Sequence, residues 1–327
     1  MNSDLWRNIG FDFVADATAA ESRKSVGALF SDQRRGSPKE PLFPPEARKA
    51  FLDAGWLDLA DSSAEYPRRD DILLDISRLA GFHRIPLPIA GLAIARAAAG
   101  SSSVEIDLSQ TTGACLDVGL GWRSGRRLYG IPSFSDAEAA VVVNAGMATM
   151  FTLDASSLAP PNDRSVVIAH VDWSDATAEW PLPSDVMEWL VRTVPVLIAA
   201  DAVGAAEQGW GRAQGHVLSR SQFGRKLAQL QAVRFQLASG AASLVAARTL
   251  LEELCRQDGD GTFADPVRRN AAIDVALAHA EEAVIAATHV HGALGYTAGE
   301  EVGWCRMRVA AARCLLRRSS REIARLV

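Results

Sequence analysis

Apolar positions recur along this chain in three successive rhythms. After Pro44 and Pro45, the segment EARKAFLDAGWLDLA sets Phe51, Leu52 and Trp56 on helical spacing, and proline is tolerated where a helix begins. Asp71–Leu79 (DILLDISRL) and Pro88–Ala99 (PIAGLAIARAAA) predict two more helices. A weakly amphipathic helix is predicted around Asp16–Phe30, followed by a Pro- and Gly-rich charged loop, DQRRGSPKEPLFPP. Between Ser101 and Asp185 the rhythm shortens. GRRLYGIPSF, AEAAVVVNAG, MATMFTLD and RSVVIAHVDW are strand-length runs rich in β-branched residues, separated by Gly and polar punctuation. They predict a small antiparallel β domain of about four to six strands.

From Ser184, a suitable N-cap, the pattern is helical to the end. Pro195 predicts a kink or a late start in the first helix of this region. Leu227, Leu230, Val233, Leu237, Leu244, Leu251 and Leu254 repeat at helical intervals. A turn cluster at 258–266 separates that helix from Val267–Val290, and a last helix is expected over Val302–Leu326. Four long helices with short connections read as an antiparallel bundle. The expected fold is therefore mainly α with a small β domain: an N-terminal helical domain (1–100), a reduced β domain (101–183) and a C-terminal four-helix bundle (184–327).

Composition narrows the function classes. With 48% hydrophobic and 22% charged residues, the chain has the make-up of a packed globular protein. A net charge of −5 supplies no electrostatic drive toward nucleic acid or an anionic membrane. No run approaches the roughly 20 unbroken apolar residues of a membrane span, and the N-terminus lacks an apolar signal region. Cys115, Cys255, Cys305 and Cys314 show no CxxC spacing, which points to reduced thiols and a cytoplasmic location.

Several constellations carry little chemistry. Gly119/Gly121/Gly125 and Gly209/Gly211/Gly215 miss the dinucleotide-binding spacing and its strand–turn–helix setting. His289, His291, Cys305 and Cys314 invite a metal, but the two cysteines fall on opposite sides of one predicted helix. No metal site is expected. Two junctions stand out: Arg220-Ser221-Gln222-Phe223-Gly224 and His289-Val290-His291-Gly292-Ala293-Leu294-Gly295-Tyr296-Thr297. An arginine and free backbone N–H groups at such places can hold phosphate. Ordinary helix–helix turns are the competing account.

Taken together, RSQFG, the following KLAQLQAVRFQLA and the HVHGALGYT turn about seventy residues on resemble the acyl-CoA dehydrogenase family. FLDAGWLDLA and SRLAGFHRIPLPIAGLAIA are similar, more loosely, to that family's helical front domain. The resemblance implies FAD-dependent α,β-desaturation of an acyl-CoA, with electrons passed to an electron-transfer flavoprotein. It implies that Arg220 contacts the FAD pyrophosphate of a neighbouring subunit, and that Gln222 and Phe223 lie along the same cofactor. His289 stands where the family has a glutamine on that cofactor, and Gly292 and Ala293 give close backbone approach.

The departures shape the expectation further. The family places its catalytic glutamate either near Leu316 or near Val194–Pro195, and neither stretch holds an acid here; Glu188 and Asp201 lie about two helical turns from the latter. The Thr-Glu-Pro-x-Ala-Gly-Ser-Asp-like and Trp-x-[ST] segments that hold the flavin ring are also missing. The chain is thus expected to have no catalytic residue of its own and no private pocket for an isoalloxazine. It resembles the short, degenerate subunit of a heteromeric α2β2 acyl-CoA dehydrogenase of the steroid side-chain degradation type, sharing FAD with a larger catalytic partner. The alternatives are a structural or regulatory paralogue without flavin, and a self-sufficient homomeric enzyme using Glu300 or Glu301. Leu316→Glu in the isolated chain is expected to yield no dehydrogenation of acyl-CoA in a dye-reduction assay, because a base alone does not supply the flavin pocket; measurable turnover would contradict this.

Overall fold

The computed structural model describes residues 24–30, 45–60, 69–118, 120–159, 167–255, 265–297 and 300–323. Most of the predicted loop at 32–45, most of the predicted turn at 258–266 and most of the Asp16–Phe30 helix lie outside these residues, though 24–30 are helical. Helices α1 (Pro45–Asp53), α2 (Arg69–His83) and α3 (Ile89–Ala99) come first. Eight strands follow: β1 (Thr111–Cys115), β2 (Trp122–Ser124), β3 (Arg127–Ser133), β4 (Ala139–Asn144), β5 (Met147–Thr152), β6 (Leu158–Ala159), β7 (Val167–Asp172) and β8 (Ala176–Pro181). The rest is helical: α4 (Ser184–Ser219), α5 (Gln231–Cys255), α6 (Pro266–His291) and α7 (Glu301–Ile323). The result is the mainly α fold with a small β layer that the sequence predicted.

The β layer is richer than expected. It forms two four-stranded sheets, ordered β1-β4-β5-β8 and β2-β3-β7-β6. One pairing, β1 with β4, is parallel, with Thr111 opposite Ala139 and Cys115 opposite Val143. The chain leaves the first sheet after β1 to make β2 and β3 in the second, and that excursion is what lets β4 return alongside β1 in the same direction. Strand β4 reads AAVVVN because both its faces are covered: Val141 and Val143 join one core cluster, Ala140 and Val142 the other. Trp180 on β8 donates its indole N–H to the Ala98 carbonyl at 3.1 Å, fastening this sheet to α3.

Helix α4 is the axis of the molecule. It touches α2, α3, α5, α6 and α7, and its buried residues run from Val186 to Val217 on every side. It is long and apolar enough to cross a membrane by composition, but 83% of its most apolar stretch is buried inside the protein. That burial explains the apolarity. Pro195, expected to kink or delay the helix, lies buried inside an unbroken α4; packing on all sides outweighs the roughly 3 kcal/mol cost of an interior proline.

The crossing of α2 and α4 is backbone on backbone. A Cβ at Gly81 would lie 1.9 Å from the Asp201 carbonyl oxygen, and one at Gly204 would lie 1.8 Å from that of Arg78. Ser77 Oγ donates to the Leu197 carbonyl at 2.7 Å across the same seam. Arg78 is bonded to Glu207 at 2.6 Å and lies 3.6 Å from Asp75. Burial opposes its charge, but these two carboxylates hold its pKa above the ordinary value. At the far end of the seam Asp70 accepts from the Trp189 indole at 2.8 Å and from Arg192 at 2.9 Å. Gly81→Ala is expected to destabilise the protein by about 3 kcal/mol or more, since backbone atoms on both sides must part. Gly211→Ala, with open space around its Cβ, is expected to be neutral or stabilising by up to ~1 kcal/mol. Thermal or urea melts of the two variants compare them directly.

Candidate functional site

The two junctions singled out by sequence sit at one end of the bundle, where α4 stops, α5 begins, α6 stops and α7 begins. Arg220 leaves α4 in an extended conformation, its N–H bonded to the His216 carbonyl at 2.8 Å. Its own carbonyl accepts from Leu227 N–H at 3.0 Å, closing a small loop. Within that loop Ser221–Gln222 and Arg225–Lys226 pair antiparallel, Gln222 opposite Arg225 and Ser221 opposite Lys226. Lys226 Nζ donates to the Ser219 carbonyl at 2.6 Å and so caps the end of α4.

Phe223 and Gly224 form the two-residue tip, with φ of 55° and 75°. Positive φ at both central positions is the hairpin geometry that asparagine and glycine adopt cheaply. For a bulky phenylalanine it costs on the order of 1–3 kcal/mol. Among the described residues the ring gains little in return, being 86% exposed. A strained aromatic tip, held by hydrogen bonds at both ends of its loop and pointed at solvent, is shaped to meet something else.

The second junction ends α6. Gly292 has φ 63° and ψ −142°, a backbone conformation essentially reserved for glycine, and its N–H bonds to the His289 carbonyl. A 3-10 turn over Gly292–Tyr296 follows. His289, Gly292 and Ala293 are all exposed, as are Arg220 and Gln222. The two junctions meet through the rings of His216 and His291, stacked with centroids 4.5 Å apart at 28°. Around them the surface mixes cations with apolar groups: Arg225 and Arg234 are exposed beside Phe235, Leu218, Leu294 and Tyr296. A groove of about 470 Å³ opens between the end of α4 and the start of α5, lined by Trp210, Val217, Leu218, Val233 and Phe235. The sequence did not flag it, because Phe235 lies off the leucine stripe that marks the buried face of α5.

Neither expected acid position supplies a base. Val194 and Pro195 are buried, and Leu316 is 3% exposed in the bundle core. An apolar cleft of about 410 Å³ opens near both, between α3, the strands, α4 and α7, with Leu120, Ile168, Leu197, Ile198 and Leu315 in its walls. Where the sequence predicted no pocket for a flavin ring, the fold therefore keeps a cleft. Among the described residues its one carboxylate is Asp201, and the Arg308 guanidinium donates to both oxygens, Nε at 2.6 Å and Nη2 at 2.5 Å. The third arm of Arg308 reaches the Ile85 carbonyl at 2.9 Å. A carboxylate clamped in this way is a structural ion, not a poised base. Spacing alone could not have found this pair, whose members are 107 residues apart. Glu301 is also engaged, bridging Arg84 at 2.9 Å and Arg212, and the cleft wall on α7 begins only at Met307. Among the described residues no cluster of three His, Cys, Asp or Glu side chains is arranged to hold a metal.

Residues 192–317 match the family model described as acyl-CoA dehydrogenase, C-terminal domain. No curated protein sequence matches the chain. Among solved structures, a variant of the Tcur3481–Tcur3483 steroid ACAD superposes with a TM-score of 0.70 at 18% identity, over 94% of this chain and 98% of that one. The ChsE4–ChsE5 complex from Mycobacterium tuberculosis gives 0.64 at 18% identity, over 97% and 98%. Butyryl-CoA dehydrogenase from Megasphaera elsdenii gives 0.65 at 15% identity, over 96% and 100%. Phe223→Gly is expected to leave the stability of the chain unchanged or raise it by up to ~1 kcal/mol, as relief of the strained φ offsets the added freedom of the unfolded state. Chemical denaturation measures it; a clear loss of stability would mean that the ring is packed in solution.

Proposed function

We infer that this chain, which carries an acyl-CoA dehydrogenase C-terminal domain on an acyl-CoA dehydrogenase fold, is the non-catalytic short subunit of a heteromeric FAD-dependent acyl-CoA dehydrogenase. A larger partner subunit supplies the flavin-ring pocket and the catalytic base, in an α2β2 assembly. This chain contributes Arg220, Gln222 and Phe223 from the hairpin, and His289, Gly292 and Ala293 from the end of α6, to the FAD held mainly by that partner.

The observation that carries the reading is the hairpin itself. Its backbone is tied down on both sides, its tip residue is strained, and its aromatic ring is offered to solvent beside exposed arginines. That donor set suits a dinucleotide: a guanidinium for the pyrophosphate, an amide for sugar or base edges, and a ring to lie against an aromatic system. The glycine-only backbone at Gly292 leaves room for close approach. When bound, FAD accepts the β-hydrogen of the acyl thioester as hydride. The residues of this chain bind and orient; among the described residues the carboxylate of the cleft, Asp201, is clamped by Arg308, which supports a base supplied by the partner. Two of the similar solved structures are named as pairs of polypeptides, one of them a steroid ACAD. They support a hetero-oligomer acting on a bulky acyl-CoA such as a steroid side-chain thioester, with an electron-transfer flavoprotein as acceptor.

Flavin absorbance of the chain purified alone and after co-expression with its partner subunit tests the reading. Yellow protein only in the co-expressed complex, at about one FAD per pair of chains, is the expected result. Arg220→Ala should then weaken FAD retention by about tenfold to a hundredfold, the worth of a charged hydrogen-bonded contact of ~1.5–3 kcal/mol. Unchanged flavin content in that variant would favour a structural paralogue. Stoichiometric FAD in the chain alone would favour a homomeric enzyme built on the 410 Å³ cleft.

A further inference from the structure

We propose that the His216–His291 pair is a positioning device that holds the Arg220 hairpin and the His289–Gly292 helix end in one register while both rings are neutral, and releases them when the pair takes up protons. The flavin readout below rests on the reading of the preceding section; the resonance readout does not.

The rings stack 4.5 Å apart, near parallel. His291 Nδ1 lies 2.8 Å from the Ala287 carbonyl, so that nitrogen carries the proton in the neutral ring and Nε2 is the one free to gain a second. Each histidine is wired to one junction. The His216 carbonyl accepts from the Arg220 N–H at 2.8 Å and from Ser219 Oγ at 3.1 Å. His291 directly precedes Gly292, whose backbone conformation admits no side chain. The stacked rings therefore join the two helix ends that carry the candidate site.

The surroundings set the sign. His216 is held below its ordinary pKa first by burial, then by His291 and by Arg220 on its own helix, against the opposing pull of Glu300 from ahead of α7. Lys226 of the hairpin adds a cation bound to the Ser219 carbonyl, and Arg212, one turn earlier on α4, is engaged by Glu301. A group whose folded pKa is depressed contributes stability that is present above its unfolded pKa, about 6.5 for histidine, and lost as pH falls through the folded value. The register is therefore intact at neutral pH and loosens on acidification below about pH 6.5.

Two measurements test this. In the co-expressed complex, FAD retention should fall as pH is lowered from roughly 7.5 to roughly 5.5, across the ordinary histidine range. His216→Phe, which keeps an aromatic stack and cannot titrate, should hold FAD with a flat profile. His216→Ala should retain it poorly at every pH. In the flavin-free full chain, the His216 imidazole resonance should titrate below the ordinary value, and the backbone amide resonances of Arg220 and Gly292 should shift with it in wild type and not in His216→Phe. A wild-type profile that matches His216→Phe, or Arg220 and Gly292 amide resonances that do not follow the His216 titration, would overturn the proposal. Amide resonances that follow the His216 titration, in a complex without any FAD, would leave the pair standing and sink the shared-cofactor reading instead.

Discussion

The structure depends on the place where α2 and α4 meet with no side chain between them. Gly81 and Gly204 let the two backbones approach until a single methyl group on either would overlap a carbonyl. Only at that separation do Arg78 and Glu207 reach each other inside the core, and only there does Asp70 gather Trp189 and Arg192. Buried charges of this kind are tolerated when geometry satisfies them and are costly otherwise, so the glycine contact and the ion pairs stand or fall together. Arg308 extends the lock to α7, since its guanidinium holds Asp201 on α4 and the Ile85 carbonyl just beyond α2. Asp201, the carboxylate in the cleft wall, is thereby committed to holding three segments in place.

The far end of the same bundle has the opposite character. Where the charges of the seam are buried and paired with one another, the end near Arg220 leaves cations, a strained phenylalanine and several apolar side chains facing outward. A protein with its core so fully determined has no internal need for this surface. Its cost, in strained backbone and exposed aromatic area, is offset only if another molecule covers it.

Much of this was legible in the amino-acid order, for reasons that differ from element to element. α5 declared itself through its leucine stripe because one face is buried and the other is not. α4 is buried all round, so length and apolarity identified it where periodicity could not, and Pro195 misled because tertiary packing overrides local propensity. β4 was plain as a run of valines, whereas TTGAC and ATAEWP were missed: the first is short, with Gly113 at its centre and no large aliphatic residue, and the second alternates small and polar residues on a largely exposed edge. The hairpin was readable as a motif because its chemistry is contiguous; its strain was not, since φ depends on how the loop closes. The Arg308–Asp201 clamp and the His216–His291 stack were invisible because each joins residues distant in the chain.

The long reach of α4 also orders events in time. Its contacts to α2 span 120 residues at Ser77–Leu197 and 129 at Arg78–Glu207. Synthesis runs from the N-terminus, so α2 emerges without α4, the helix it packs against most, and stays so while the entire β layer is made. Contacts this distant along the chain slow folding and leave an intermediate open to aggregation. For this protein the interval between translating His83 and translating Val217 is the period of greatest exposure to chaperones and to misassembly.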